Sequence, residues 1–160
     1  RRAASTDALT GLCNRRGFVD VLSAAVERGD DVGVVFLDLD RFKLFNDVHG
    51  HSAGDDLLRC AGERIARVAG AWPAARIGGD EFGVLVTWAG DPDVAGLALQ
   101  IISTVEERID VNGGTVEVGC TIGIGSAAPD DHPITVLETA ERDHATRKAY
   151  RRDALVTTAH

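Results

Sequence analysis

The chain has 160 residues, of which 44% are hydrophobic and 5% aromatic, and this length suits one domain with a substantial core. Its 17 basic and 25 acidic residues give a net charge of −8, which argues against non-specific binding to nucleic acid or to an anionic membrane. The sequence shows no apolar run long enough to span a bilayer and no signal peptide. We therefore expect a cytoplasmic domain without direct membrane contact, although a full-length protein could be tethered to a membrane.

The cysteine and methionine content bears on the compartment and on the extent of the chain. Cys13, Cys60 and Cys120 lie far apart and fit no metal-binding spacing, so we expect reduced thiols. The sequence has no methionine, even at its first position, which indicates a single domain excised from a longer multidomain protein. We assign residues 1–160 to that domain, with its core at about residues 7–157.

The first half of the chain predicts two helices around a buried strand. A helix is predicted over residues 14–28, where apolar residues share one face and Asn14 is the expected N-cap. The near-continuous apolar run 32–39 is typical of a central strand buried on both faces, and Asp38 and Asp40 lie at its end on one side of the pleat. After an irregular or short helical segment, a second amphipathic helix is predicted over residues 55–68, with its first residue as N-cap.

The second half predicts a hairpin, a helix, a strand and a last helix. A short strand at about residues 71–77 leads into a tight turn and a returning strand, which is a moderate hairpin signal. The remaining predicted elements follow in this order: a helix over 94–109, a hairpin turn at 112–114, an alternating strand over 116–124, a helix over 134–150 and an edge strand at 154–156.

This order of elements predicts an α+β fold. Hairpins mixed with crossover helices indicate a mostly antiparallel central sheet flanked by packed helices. The βαββαβ order inside the chain is that of the ferredoxin-like sandwich.

The segment RIGGDEFGVLV (76–86) places two glycines and two acids directly before an apolar strand. Buried acids need a partner, and we expect Gly78 and Gly79 to adopt backbone angles that other residues avoid. If this turn lies beside Asp38, the carboxylates converge on a site for Mg²⁺ or Mn²⁺. Such a site next to basic residues suits phosphoryl or nucleotidyl transfer, although from spacing alone an ordinary turn is the commoner interpretation.

Four motifs in order and spacing resemble the signatures of the GGDEF family, the diguanylate cyclases. They are DALTGLCNRR (7–16), FLDLDRFKLFND (36–47), GHSAGDDLL (50–58) and RIGGDEF (76–82). The resemblance covers essentially the whole chain and implies a palm-type, nucleotidyl cyclase-like fold. It also implies that two GTP molecules are condensed into cyclic di-GMP with release of pyrophosphate.

The resemblance assigns a metal site to the two strand ends. Asp38 matches the first metal-binding aspartate, and Leu39 the residue whose backbone carbonyl also binds metal. Asp80 matches an acid that binds metal and is commonly drawn as catalytic, and Glu81 matches the neighbour that helps to hold the second metal. The implied cofactor is Mg²⁺ or Mn²⁺. Either Asp80 or a metal-bound hydroxide could accept the proton of the attacking hydroxyl.

The resemblance also assigns residues to the substrate. Lys43 matches a catalytic lysine that stabilises charge on the phosphates. Asn46 and Asp55 match residues that read guanine, and Lys148 and Arg152 match cations that contact phosphate. Because each domain of the family holds one GTP, we expect a transient homodimer, controlled by an upstream sensor or receiver domain.

The chain departs from the family pattern at two places. Ala69 and Trp72 stand where many relatives carry an RxxD product-inhibition site, so that feedback is expected to be absent. In the last motif, AERDHATRKAYRRD (140–153), His144 and Ala145 replace the usual Leu and Tyr, and we expect a loosely docked last helix. The altered last motif supports an alternative, a regulatory module that binds GTP with weak or no turnover. A cyclase for another cyclic dinucleotide is a third possibility.

Overall fold

The computed structural model describes residues 4–88, 93–127 and 131–157, with side chains as far as residue 149. Five helices and six strands follow one another in these ranges: α1 (Arg15–Glu27), β1 (Asp31–Leu39), α2 (Phe42–His49), α3 (His51–Ala69), β2 (Ala74–Arg76), β3 (Glu81–Trp88), α4 (Val94–Val105), β4 (Ile109–Val111), β5 (Gly114–Val116), β6 (Cys120–Ser126) and α5 (Pro133–Thr157).

The central sheet has four strands in the order β2-β3-β1-β6, and every neighbouring pair is antiparallel. Helices connect β1 to β2 and β3 to β6, which gives the βαββαβ arrangement of a ferredoxin-like sandwich. β4 and β5 form a separate two-stranded hairpin. The predicted α+β fold, with an antiparallel sheet flanked by helices, is confirmed.

Strand β1 is buried on both faces, as its apolar run predicts. On one face Val34 and Phe36 belong to a core cluster that includes side chains of α1 and α5. On the other face Val35 and Leu37 pack with side chains of α3 and α4. Asp38 follows the pleat of Phe36 and therefore lies on the face that α1 and α5 cover.

Helix α5 packs very closely against β6, because β6 has glycines on that face. A Cβ atom on Gly123 would lie 2.2 Å from both the Ala140 carbonyl oxygen and the His144 nitrogen. The carboxylate of Asp143 accepts a 2.8 Å hydrogen bond from the Ile124 N–H. The expectation of a loosely docked last helix is therefore wrong for the part of α5 whose side chains are described.

Two predicted helix boundaries are wrong. α3 begins at His51, so Asp55 lies inside the helix and is not its N-cap; Gly50, with φ of 87°, separates α2 from α3 instead. α4 ends at Val105, and Ile109 belongs to β4. Arg64 explains that end, since its guanidinium donates to the carbonyl of Val105, the last helical residue, and to those of residues 107 and 108 just past it.

Two predicted strands also differ. The strand expected over 116–124 is interrupted between β5 and β6, where the Cys120 N–H donates to Glu106 instead of continuing a ladder. Residues 154–156 belong to α5 rather than to an edge strand. No glycine or proline follows Pro133 before Thr157, so nothing in that part of the sequence ends the helix.

Candidate active site at the end of the central sheet

The ends of β1 and β3 lie side by side. Asp38 is directly opposite Glu81 in the antiparallel register, and the Leu39 N–H donates a 3.2 Å hydrogen bond to the Asp80 carbonyl. The structure therefore brings together, at one end of the sheet, the four residues to which the resemblance assigns a metal. Periodicity alone could not establish this neighbourhood.

The Leu39 carbonyl lies at the same junction. Residues opposite each other at such a position of an antiparallel pair normally exchange two hydrogen bonds. Here Leu39 donates to Asp80, but the bond back from the Asp80 N–H to the Leu39 carbonyl is not formed. The Leu39 carbonyl thus lacks this usual partner beside the acids.

Arg76 holds the turn between β2 and β3. Its Nε and Nη2 donate to the Gly79 carbonyl at 3.0 and 2.8 Å, and Nη1 donates to Asp7 at 3.2 Å. Neither Gly78 nor Gly79 has a left-handed φ, so the expected special backbone angles are not found. Gly78 instead leaves room for Glu81, because a Cβ there would lie 3.0 Å from the Glu81 Cδ.

Asp7 is a supporting residue to which the sequence analysis gave no role of its own. Its carboxylate accepts from the Thr10 N–H at 2.9 Å and the Thr10 hydroxyl at 2.7 Å, in addition to Arg76. Burial alone would raise the pKa of Asp7, but these hydrogen bonds and the Arg76 charge lower it. The first of the four sequence motifs therefore fixes the turn through an ion pair.

Asp38 is held by two side chains of α5. Its carboxylate is buried; Oδ1 lies 2.9 Å from His144 Nε2, and Oδ2 accepts a hydrogen bond from Lys148 Nζ. Burial alone would raise the pKa of Asp38, but the bonds from His144 and Lys148 lower it. The sequence analysis noted His144 only as a departure from the family motif and did not find this contact. His144 and Lys148 are one helical turn apart in the sequence, and this spacing was the available signal that the two side chains share one face of a helix.

The pKa values of the two acids in the turn, Asp80 and Glu81, are shifted in the opposite direction to that of Asp38. Burial and the negative charge of Asp38 raise the pKa of Asp80 above its usual value. Burial and the charge of Asp80 raise the pKa of Glu81. The pKa of Lys148 is also raised, because its bond to Asp38 and the charges of Asp38, Asp80 and Asp40 outweigh its partial burial.

These residues fit a divalent cation chemically, although they are not arranged as a finished cage. The donors are carboxylate and carbonyl oxygens, which Mg²⁺ and Mn²⁺ prefer. The Lys148 ammonium stands in for such a cation, since it binds Asp38 and feels the charge of Asp80. Among the described side chains, no group of three His, Cys, Asp or Glu residues is positioned to hold a metal, and Asp38 is bound by His144 of α5.

The predicted guanine-reading residues lie on α2 and α3. Asn46 packs against Gly54, where a Cβ atom would lie 1.8 Å from the Asn46 Oδ1, so this glycine lets the two helices approach. The same Oδ1 is buried without a hydrogen-bond partner. Asp55 is exposed on the next position of α3, so both residues are in one neighbourhood.

Of the three cations predicted to contact phosphate, the structure describes the side chains of two, Lys43 and Lys148. Lys43 is exposed in the first turn of α2, and within the described ranges it makes no ion pair. Lys148 contacts Asp38, as described above. Arg152 lies in α5 beyond the described side chains, so its predicted contact with phosphate falls outside the described residues.

A groove of about 990 Å³ opens beside His144 and Lys148, between α2 and α5. Leu44 and Val48 line it and are 55% and 67% exposed. Ala145, where the resemblance leads one to expect tyrosine, also lines it. A small side chain at this position helps to leave the groove open.

In the described part of the chain, none of the helices combines the length and the apolar composition that crossing a bilayer requires. The family described as "Diguanylate cyclase, GGDEF domain" matches residues 4–154. The chain belongs to the GGDEF family.

Solved GGDEF domains share the fold. A sensory box/GGDEF family protein from Caulobacter crescentus CB15 is 33% identical, with a TM-score of 0.84, over 91% of this chain and 99% of that chain. The GGDEF domain of DgcB from Caulobacter crescentus, solved in complex with c-di-GMP, is 32% identical, with a TM-score of 0.83, over 96% and 91% of the two chains.

Curated relatives are much longer than this GGDEF domain. The cyclic di-GMP phosphodiesterase NbdA of Pseudomonas aeruginosa is 38% identical over 136 residues, which are 82% of this chain and 17% of that protein. PdeR of Escherichia coli, also named a cyclic di-GMP phosphodiesterase, is 37% identical over 82% of this chain and 20% of that protein. The chain thus spans about a fifth of the length of these relatives.

Proposed function

We propose that this GGDEF domain binds GTP with Mg²⁺ or Mn²⁺ and that two domains, as a transient homodimer, condense two GTP into cyclic di-GMP and pyrophosphate. The observation that carries the proposal is the register that sets Asp38 opposite Glu81 and Leu39 against Asp80. Oxygen donors from two strand ends meet there, where the family's reaction needs a cation.

The cation would be held by the carboxylates of Asp38, Asp80 and Glu81 and by the Leu39 carbonyl. When bound, it would neutralise charge on the triphosphate and make the attacking 3′-hydroxyl more acidic. The raised pKa values of Asp80 and Glu81 support this assignment, because two crowded acids are stabilised by a nearby positive charge.

The chain's own side chains would orient GTP and move the proton. Asp80 is the acid at the junction of the two strand ends, and we assign it the role of accepting the hydroxyl proton. Lys43, Lys148 and Arg152 would stabilise charge on the phosphates. Lys148 would first release Asp38, which its half-exposed side chain allows.

Asn46 and Asp55 would select guanine. The unpaired Asn46 Oδ1 supports a polar ligand in this neighbourhood, because a buried acceptor without a partner is costly. A carboxylate at Asp55 accepts from both N1–H and the 2-amino group of guanine, whereas adenine presents an acceptor at N1. Such a bidentate contact is worth about 1–3 kcal/mol of discrimination.

Nucleotide chromatography after incubation with GTP and Mg²⁺ tests the proposal. We expect cyclic di-GMP from the 160-residue chain at high concentration, and more from a version paired through a fused leucine zipper, because the bond forms between two domains. Asp80→Asn in the zipper version is the matched control. If the zipper version binds GTP and yields no cyclic di-GMP, the proposal is wrong. ATP offered together with GTP tests for a mixed product.

A regulatory GTP-binding module is the second candidate. It is supported by Asp38, both of whose oxygens are bound by α5 side chains, and by matched relatives that are named phosphodiesterases. In that case the domain would bind GTP without turnover and act on attached domains. Saturable, metal-dependent GTP binding without product would establish this candidate in place of the first.

A further inference from the structure

Two side chains on one face of α5 each bind one oxygen of the Asp38 carboxylate. His144 and Lys148 are one turn apart on α5, so they project from the same side. The first takes Oδ1 through Nε2 at 2.9 Å, and the second takes Oδ2. A buried carboxylate needs such partners, but these two differ in their freedom to leave it.

His144 is fixed in place. Its side chain is 10% exposed, and its ring meets Phe36 edge to face, with centroids 5.1 Å apart and planes at 74°. Its backbone lies against Gly123 so tightly that a Cβ there would be 2.2 Å from the His144 nitrogen. The close backbone contact fixes the main chain of His144, and burial against Phe36 restricts its ring, so the imidazole leaves Asp38 less readily than an exposed side chain would.

Lys148 can leave. Its side chain is 50% exposed, and a lysine side chain has several rotatable bonds that let the ammonium follow another anion. Its ammonium also feels the charges of Asp80 and Asp40, so it lies among the acids where a cation would be attracted. Of the two Asp38 oxygens, only Oδ2 is therefore readily exchanged.

We propose that His144 is a positioning residue that locks Asp38 through Oδ1 and presents Oδ2 to a divalent cation, while Lys148 holds Oδ2 until that cation arrives. This inference rests on the proposed metal-dependent binding of GTP. The family's last motif, which residues 140–153 resemble, has leucine at this position, and leucine has no ring nitrogen with which to bind Asp38. Hydrogen bonds to a carboxylate that binds metal orient it, and their loss typically lowers metal affinity about 10- to 100-fold.

Mn²⁺ binding measured by electron paramagnetic resonance tests the proposal without any turnover. The protein is first saturated with the α,β-methylene analogue of GTP, which cannot be condensed. We expect His144→Leu to weaken Mn²⁺ binding about 10-fold or more. His144→Gln keeps an N–H donor and should recover most of the affinity. His132→Leu, the same change at an exposed position next to the start of α5, should bind Mn²⁺ like the parent chain.

Lys148→Gln provides an independent arm that does not depend on the folding of a His144 variant. Measured without nucleotide, it should bind Mn²⁺ several-fold more tightly, because the competing ammonium is gone. Unchanged or tighter Mn²⁺ binding by a folded His144→Leu variant would overturn the positioning role. So would weaker Mn²⁺ binding by Lys148→Gln. If the parent chain does not bind the GTP analogue at all, it is instead the proposed function that fails.

Discussion

Asp38 and the Asp80–Glu81 pair share one end of the sheet but differ in what neutralises them. Asp38 has two basic partners from α5, and its pKa is lowered. Burial and the charge of Asp38 raise the pKa of Asp80, and burial and the charge of Asp80 raise the pKa of Glu81. The two basic side chains of α5 therefore lower the pKa of the acid that they bind, whereas burial and neighbouring acids at the strand ends raise the pKa values of the other two.

The mechanical support differs in the same way. The turn that carries Asp80 is held by Arg76, which bonds the Gly79 carbonyl and Asp7 of the N-terminal segment. Asp38 depends on the close packing of α5 against Gly123. Changes to the turn and changes to α5 should therefore have separable consequences for stability and for activity.

The largest expected effect is a loss of activity, and it should be similar for Asp38 and Asp80. Asp38→Asn and Asp80→Asn should each lower cyclic di-GMP formation by the zipper-paired domain on the order of 100- to 1,000-fold, since each removes a charge that acts on the reacting groups. Initial rates by chromatography at saturating GTP and Mg²⁺ measure this. Asp56→Asn, on the exposed face of α3, should leave the rate unchanged. A site acid whose removal is harmless would not belong to the site.

The next largest effect is on stability, and it should differ between the contact of α5 with the sheet and the turn that carries Asp80. Gly123→Ala forces a Cβ to within 2.2 Å of the α5 backbone and should cost about 1–3 kcal/mol of unfolding free energy. The matched change Gly79→Ala meets no atom within 4 Å and no left-handed φ, so it should stay within about 0.5 kcal/mol of the parent. Urea unfolding measures both. Equal costs would mean that close packing of α5 is not what sets Asp38 in place.

A smaller effect isolates the support of the turn. Asp7→Asn removes the Arg76 ion pair and should cost about 1 kcal/mol at neutral pH. Because the folded pKa of Asp7 is lowered, its contribution is present above the ordinary value of 3.8 and is lost as the pH falls through the folded pKa.

The difference in unfolding free energy between the parent chain and Asp7→Asn, measured by urea unfolding, should therefore disappear at the most acidic pH that the fold tolerates. Asp56→Asn, which breaks an exposed pair with Arg59, should cost much less than Asp7→Asn. A gap that widens in acid would contradict the assignment of Asp7 as the ionised partner of Arg76.

The sequence predicted most of the fold because local patterns decide it. The apolar run of β1 and the Asn14 cap of α1 need no tertiary information, and both are confirmed. The start of α3 was misplaced because Asp55 looks like a cap, whereas Gly50 turns the chain. The interruption before β6 depends on Glu106, which is distant in sequence, so no local pattern could show it.

The candidate site was predicted by resemblance and completed only by packing. The motifs named Asp38 and Asp80, but their neighbourhood depends on the strand register. The spacing of His144 and Lys148 shows that they share a face of α5, but not which acid lies beneath it. That contact follows from the glycines of β6, whose role emerges only when the helix is placed on the sheet.

The smallest effect is also the sharpest test of the comparison between Asp38 and Asp80. The same change, Asp to Asn, should shift the unfolding free energy in opposite directions at these two positions. In the metal-free protein, Asp38→Asn should lower the unfolding free energy by about 1 kcal/mol, since it removes the bonds to His144 and Lys148. Asp80→Asn should raise it by less than about 1 kcal/mol, because it removes a crowded and partly exposed charge.

Thermal melts with and without Mg²⁺ measure these two changes, each a shift of about 2–4 °C or less in Tm. A lowered folded pKa stabilises the fold above the ordinary value of 3.8, and that gain is lost in acid; a raised one destabilises it as the pH rises past 3.8. Mg²⁺ should raise the Tm of the parent chain more than that of either variant. Shifts of the same sign at Asp38 and Asp80 would mean that α5 does not distinguish the two acids.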